Sequence, residues 1–323
     1  MKNKIALEEH FAIADSLREG AEYAVPGQGN VLERRLVDLD DERLGEMERN
    51  GIAFAILSLN APGVQSMFDA TKAVDYATRA NDALAAAVAR HPDRYAGFAA
   101  VAMQDPDAAC RELTRAIKEL KFKGVMLNGF SQIGDEKTIV YYDDPRYRPF
   151  WATLAELGVP FYLHPRDPLP ERTTFYDGHP WLRGASWAFG VETATHALRL
   201  MASGIFDTHP KLTAILGHLG ETLPYCIWRF DHRVTMRPRG IPAKKTFTEY
   251  MRSNFYVTTS GNFHTSTLKQ AIEELGIGRV LFSVDYPFEE CAGAAAWFDA
   301  CAISDADREQ IGRTNAAQLF GLK

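Results

Sequence analysis

Eight short apolar runs, separated by stretches of helical periodicity, constrain this chain more than any other feature. They are Ile5-Ala6-Leu7, Ile52 to Leu59, Tyr95 to Met103, Gly124 to Asn128, Val159 to His164, Leu212 to His218, Phe255 to Thr259 and Val280 to Asp285. Runs such as Ile52 to Leu59 are continuous rather than alternating, as in parallel strands covered on both faces. Helix is expected from about Asp40 to the stop at Asn50-Gly51. A second is expected over 72–90, where Ala73, Ala77, Ala80, Leu84 and Val88 form one stripe. A third opens at Asp105-Pro106, with Asp as cap and Pro at the first helical position. Further helices are expected over 146–157, 191–204, near 221–235 and over 266–276, and Ser304 with Asp307 opens another in the manner of a capping box. Strands alternating with helices predict a (β/α)8 TIM-like barrel, one domain over residues 1–323. A doubly wound open sheet is the rival, but no GxGxxG or GxxxxGK[ST] turn follows any run. Two irregular stretches, 11–35 and about 165–187, are long enough to cover the C-terminal mouth of such a barrel.

Composition narrows the partners. Of the 323 residues 46% are hydrophobic and 24% charged, an ordinary globular balance. The net charge of −6 and the lack of a basic run argue against nucleic acid and anionic membrane as partners. No apolar run approaches the ~18 residues of a membrane helix, and Met1-Lys2-Asn3-Lys4 leads straight into the first strand without a signal core. Cys110, Cys226, Cys291 and Cys301 show no CxxC pairing and are expected as reduced thiols of a cytoplasmic protein.

Barrels of this kind carry their active sites at the C-terminal ends of the strands. Glu8 and His10 stand there on the first strand, two apart and so on one face, with Glu9 turned away. Asn128 ends the fourth run, His164 the fifth, His218 the sixth, Thr259 and Ser260 the seventh, and Asp285 the eighth. Any one strand-end histidine is an ordinary structural residue. Three histidines and two carboxylates converging on one mouth point to a metal site. His91, His196, His209, His232 and His264 fall elsewhere and are expected to be structural or solvated, while His179, in a Gly-His-Pro-Trp turn, is left open.

Ala6-Leu7-Glu8-Glu9-His10-Phe11, Phe161-Tyr162-Leu163-His164-Pro165-Arg166, Gly217-His218-Leu219-Gly220-Glu221 and Phe282-Ser283-Val284-Asp285-Tyr286-Pro287-Phe288 carry a family resemblance. So do Asn128-Gly129-Phe130-Ser131-Gln132, Asp177-Gly178-His179-Pro180-Trp181 and the ending Asn315-Ala316-Ala317-Gln318-Leu319-Phe320. Over essentially its whole length the chain resembles the decarboxylase branch of the amidohydrolase superfamily. The resemblance implies one divalent ion, Mn2+ or Zn2+, held by Glu8, His10, His164 and Asp285, with no organic cofactor. It implies His218 and Glu221 as partners of Asp285, the acid of the reaction. The implied reaction is the reversible, non-oxidative loss of CO2 from an ortho-hydroxybenzoate. 2,6-Dihydroxybenzoate, which would yield resorcinol, is the first candidate and 2,3-dihydroxybenzoate an alternative. Relatives are built on dimers, so a homodimer or homotetramer is expected. Tyr23, Asn128, Trp187, Arg229 and Phe288 are candidates to hold the small aromatic acid.

Two departures from the wider superfamily have physical consequences. Many members carry HxH on the first strand, and this chain has Glu8-x-His10. Two carboxylates and two neutral imidazoles cancel the charge of a divalent ion, and their hard oxygens shift preference toward manganese. A neutral site also acidifies bound water less, which weighs against the main rival, a lactone or amide hydrolase on the same ligands. A non-catalytic binding protein is a further rival, disfavoured by Asp285 beside a complete ligand set. The fourth strand has no lysine at its end for a second ion, since Lys123 precedes it.

Overall fold

A computed structural model describes residues 1–14, 17 and 27–322. Eight parallel strands follow one another around a single sheet: β1 (Lys4–Phe11), β2 (Ile52–Leu59), β3 (Tyr95–Ala99), β4 (Gly124–Asn128), β5 (Phe161–His164), β6 (Ala214–Leu216), β7 (Phe255–Thr258) and β8 (Val280–Leu281). Each pairs with its neighbour in sequence, the order of a (β/α)8 barrel. The ring closes where the chain beyond β8 meets β1, through His10 N–H to the Tyr286 carbonyl at 2.7 Å and Asp285 N–H to that of Glu8 at 2.9 Å. Lower in this seam side chains replace the ladder. Ser283 Oγ accepts from both Leu7 N–H and Glu8 N–H, at 2.9 and 3.0 Å, and Glu9 Oε1 accepts from Val284 N–H at 2.9 Å.

The strands sort their side chains by period two. Ile5, Leu7, Ile56, Ala96, Phe98, Met126, Tyr162, Ile215 and Leu281 fill the barrel, and Ala316 and Phe320 of the C-terminal helix Asn315–Phe320 stop its lower end. Leu57, Leu59, Val125, Leu127, Leu163 and Val257 face outward into the larger cluster under the helices. Each such fully buried side chain contributes roughly 1.5–3 kcal/mol. Helix Ala70–Arg90 buries Ala73, Ala77, Ala80 and Leu84, the stripe expected of it. Asp105 caps helix Pro106–Lys118, accepting from Asp107 N–H and Ala108 N–H.

Several boundaries differ from expectation. The stretch 11–35 contains most of a helix, Gly29–Val37, which buries only Leu32 and Leu36 and so leaves little periodicity to read. The third strand ends at Ala99 and not Met103, and the ladder of the eighth strand with β7 stops at Leu281, beyond which the Thr259 hydroxyl accepts from Ser283 N–H and donates to the Ser283 carbonyl. The stretch 165–187 is a series of short 3-10 turns rather than featureless loop. Among the described residues no helix is long and apolar enough to cross a membrane.

Candidate metal centre and active site

One extra residue in β1 aims the site. Ala6 pairs with Ala55 and Glu9 with Leu57, so three steps along β1 match two along β2. Leu7 points into the barrel, and on a regular strand Glu8 would point out. The bulge turns Glu8 inward as well, and its carboxylate spans the barrel to Tyr162 on β5, Thr258 on β7 and Ser260 beyond it. His10 shares that side, and Glu9 turns the other way into the seam, where burial pushes its carboxyl up to about 8.

The remaining groups arrive from strand ends. His164 closes β5 and Asp285 follows β8, at a left-handed φ of 81°. His10 Nε2 lies 3.1 Å from Asp285 Oδ1, and His164 Nε2 lies 3.3 Å from Glu8 Oε1. The His10 and His164 rings meet edge to face with centroids 4.6 Å apart. One ligand atom from each of Glu8, His10, His164 and Asp285 falls within 4.8 Å of all the others. Ligands at ~2.0–2.2 Å from an ion stand up to ~4.4 Å apart, so the four suit one cation. Glu8 Oε1 and His10 Nε2 are buried without an aligned hydrogen bond, as atoms awaiting a metal would be.

His218 and Glu221 stand on a tight turn after β6. His218, Leu219, Glu221 and Thr222 all have positive φ, between 52° and 70°. Such conformations cost non-glycine residues roughly 1–3 kcal/mol each and are retained where the surroundings impose them. The turn points His218 Nδ1 at Glu221 Oε1, 2.5 Å away, and His218 Nε2 at Asp285 Oδ2, 3.6 Å away. Two glycines make room. A Cβ on Gly217 would lie 2.8 Å from Glu8 Oε2, and one on Gly261 (φ 58°) 2.9 Å from the His218 ring.

Charges in the cluster are mutually set. Burial opposes ionisation of Glu8, but His218, His164 and His10 together hold its carboxyl well below the usual range. Burial likewise opposes the charge on Asp285, which hydrogen bonds from His10 and His218 overcome, leaving it below its ordinary value. Burial lowers the proton affinity of His218, and Glu221, Glu8 and Asp285 reverse that, raising it well above normal. Burial lowers that of His10. Three carboxylates, Glu221, Glu8 and Asp285, thus surround His218 and favour its charged imidazole.

The other candidates divide. Asn128 is buried at the end of β4 with its Oδ1 unpartnered, and Phe288 packs edge-on against His10 with centroids 5.6 Å apart. Trp187 is exposed and lines a cavity of about 390 Å³ with Phe189, His218, Glu221, Gly261 and Asn262. Tyr23 lies outside the described residues. Arg229 is exposed on helix Leu223–Met236, one turn beyond Tyr225, which lines that cavity. It lines a separate groove with Arg233, Arg237 and Arg239. His179 is exposed, packed on Trp181, and His196 accepts from Tyr142 N–H inside the helical shell. Of the two residues expected from the seventh strand, Ser260 faces Glu8, whereas Thr259 turns outward to Ser283 and Thr258 faces Glu8 in its place. Tyr162 was hidden in an apolar run, although its spacing of two from His164 marks it as facing the same way.

Comparison with known proteins agrees with this geometry. The amidohydrolase family model matches residues 27–322. A γ-resorcylate decarboxylase of Rhizobium radiobacter is 55% identical over 325 residues, covering 100% of this chain and 99% of the relative. One from Rhodococcus jostii (strain RHA1) is 54% identical over 327 residues, with the same coverage. A crystal structure of 2,6-dihydroxybenzoate decarboxylase complexed with 2,6-dihydroxybenzoate superposes with a TM-score of 0.98 at 55% identity, covering 100% of both chains. A dihydroxybenzoic acid decarboxylase from Polaromonas sp. JS666, with bound manganese and the inhibitor 2-nitroresorcinol, gives 0.97 at 53%, covering 100% of this chain and 98% of the other.

Proposed function

The chain belongs to the amidohydrolase family, and from that premise we propose that it catalyses the non-oxidative, metal-dependent decarboxylation of 2,6-dihydroxybenzoate to resorcinol and CO2. The observation that carries the reading is the four-ligand cluster of Glu8, His10, His164 and Asp285 with the His218–Glu221 pair beside it, in a chain alike over its full length to decarboxylases of that acid. Glu8, His10, His164 and Asp285 hold one divalent ion, Mn2+ first among candidates. When bound, the ion supplies a positive centre for the phenolate and carboxylate oxygens of the substrate and so fixes the ring's orientation.

The residues then manage one proton. Losing CO2 directly would leave its electron pair on an aromatic carbanion. Protonation of the carboxyl-bearing carbon first makes a dienone-like ring, and the C–C bond then breaks with its electrons restoring aromaticity. His218, hydrogen-bonded to Glu221 and facing Asp285, is the group placed to store the proton. The negative charge of the arriving substrate raises the proton affinity of Asp285, the proton crosses the 3.6 Å from His218 Nε2 to Asp285 Oδ2, and Asp285 delivers it to the ring. Glu221 keeps the imidazole aligned and charged. Asn128, Phe288 and Trp187 are the positions from which the ring is gripped. The chain also assembles as a homodimer or tetramer. Tyr225, Trp228 and Met236 are all exposed on helix Leu223–Met236, an apolar surface that suits a second copy, and light scattering of the purified protein tests it.

Incubation of manganese-loaded protein with 2,6-dihydroxybenzoate should release equal amounts of CO2 and resorcinol, with one deuterium on the ring in D2O. 4-Hydroxybenzoate, without an ortho hydroxyl, should be inert. Hydrolysis of a lactone or amide with no consumption of any hydroxybenzoate would overturn the assignment.

A further inference from the structure

Glu8 treats its two oxygens differently. Oε2 receives Tyr162 Oη and Ser260 Oγ in close hydrogen bonds and Thr258 Oγ1 at 3.2 Å. Thr258 Oγ1 also stands 2.9 Å from Tyr162 Oη and 2.8 Å from Ser260 Oγ, contacts that compete with Glu8 for its one proton. Ser260 Oγ accepts in turn from His218 N–H at 3.2 Å, which ties the β6 turn to the same carboxylate. All of these side chains are buried, and Gly217 packs its bare Cα against the carboxylate. Oε1 has no aligned hydrogen bond and no hydroxyl near it; its neighbours are the imidazole nitrogens of His164, itself one of the four ligands, at 3.3 Å and of His218 at 3.8 Å. An anion buried this deeply takes all its hydroxyl donors on one oxygen and turns the other toward the metal-ligating imidazole. Satisfying the charge generally would spread donors over both.

We propose that Tyr162, Thr258 and Ser260 are positioning residues that clasp Glu8 by Oε2 and so dedicate Oε1 to the metal ion. The proposal rests on the metal role given to Glu8 above. A clasp fixes the carboxylate plane before the ion arrives, so the cost of ordering Glu8 is met in folding. The clasp also binds three strands to one side chain, β1 through Glu8, β5 through Tyr162 and β7 through Thr258.

The test is metal binding without substrate. Metal-depleted parent protein and the double variant Tyr162→Phe/Ser260→Ala are titrated with Mn2+, and the bound ion is examined by electron paramagnetic resonance. The double variant should weaken Mn2+ binding by about 10–100-fold, as loss of groups behind a ligand commonly does, with a changed zero-field splitting. Thr258→Ser, which keeps its hydroxyl, should match the parent and Thr258→Val should not. Mn2+ affinity within about twofold of the parent, an unchanged spectrum, or tighter binding each overturns the clasp, even if the variant melts lower, because packing alone would move stability and not the ion. If the double variant fails to fold, Ser260→Ala alone is read by the same criteria. None of these readouts uses a hydroxybenzoate, so they stand or fall separately from the decarboxylase reading.

Discussion

The barrel's interior holds two layers made by the same strands, and they obey opposite rules. The lower layer, from Ile5 through Phe98, Met126 and Ile215 to Leu281, is apolar and sealed by Phe320. The upper layer, at and just beyond the strand ends, is Glu8, His10, His164, Ser260 and Asp285, with His10 3.1 Å from Asp285 and His164 3.3 Å from Glu8. On β5 the change takes a single step, from Tyr162 with its ring among the apolar residues to His164 at the mouth. The lower layer stabilises the fold by removing surface from water. The upper one gathers buried charge whose desolvation cost a bound cation offsets, and so trades stability for chemistry.

Four changes should break or sharpen that contrast. The largest effect belongs to the upper layer: His164→Ala should abolish both metal retention and turnover, as elemental analysis and CO2 release would report. His91→Ala, at an exposed pair with Asp40, should do neither. Next, Asp285→Asn should keep the fold and bind 2,6-dihydroxybenzoate while decarboxylation falls by about 10²–10⁴-fold, the usual range for removing a positioned acid. Turnover near the parent rate would move that role to His218. Third, Met126→Ala should cost ~2–5 kcal/mol in denaturant unfolding while the manganese content stays at one per chain. Loss of metal there would show the layers coupled. The smallest effect concerns the helical shell. Burial lowers the His196 imidazole to about 3, so the folded chain binds fewer protons than the unfolded one between pH 6.5 and 3. The stability it contributes is complete above pH 6.5 and drains as pH falls, at up to ~1.4 kcal/mol per unit. His196→Gln should flatten that slope in acid denaturation curves.

The legible parts of this molecule are those where one residue's chemistry and one period suffice. β2 and β4 run over the expected residues because their runs are continuous and bounded, and His164 and Asp285 show themselves as polar residues ending apolar runs. What escaped depends on contacts between distant segments. Thr259 was expected at the mouth, but alternation on β7 is set by pairing with β6 and β8, which puts Thr258 and Ser260 inside. The bulge in β1 leaves no mark in the sequence, since only comparison with β2 reveals the extra residue. Arg229 looked available because a basic residue on a helix near the mouth has no sequence signature of facing. The burial of Leu223 and Ile227 leaves it on the exposed side, in a groove with Arg233, Arg237 and Arg239.

The seam between β1 and the chain after β8 has one oxygen serving as acceptor for two consecutive amides, Ser283 Oγ for Leu7 and Glu8. Along most of the ring an amide's partner is a carbonyl that no point mutation can remove, and where a side chain accepts instead, as Glu9 does from Val284 and Ser260 from His218, it serves one amide. Here a serine-to-alanine change would strip both amides of their one acceptor without altering the course of the backbone. The barrel thus has a stave whose fastening is written in side chains. In amide hydrogen exchange, Leu7 and Glu8 would then be the pair whose protection a single substitution erases, opening the cylinder beside its own active-site carboxylate.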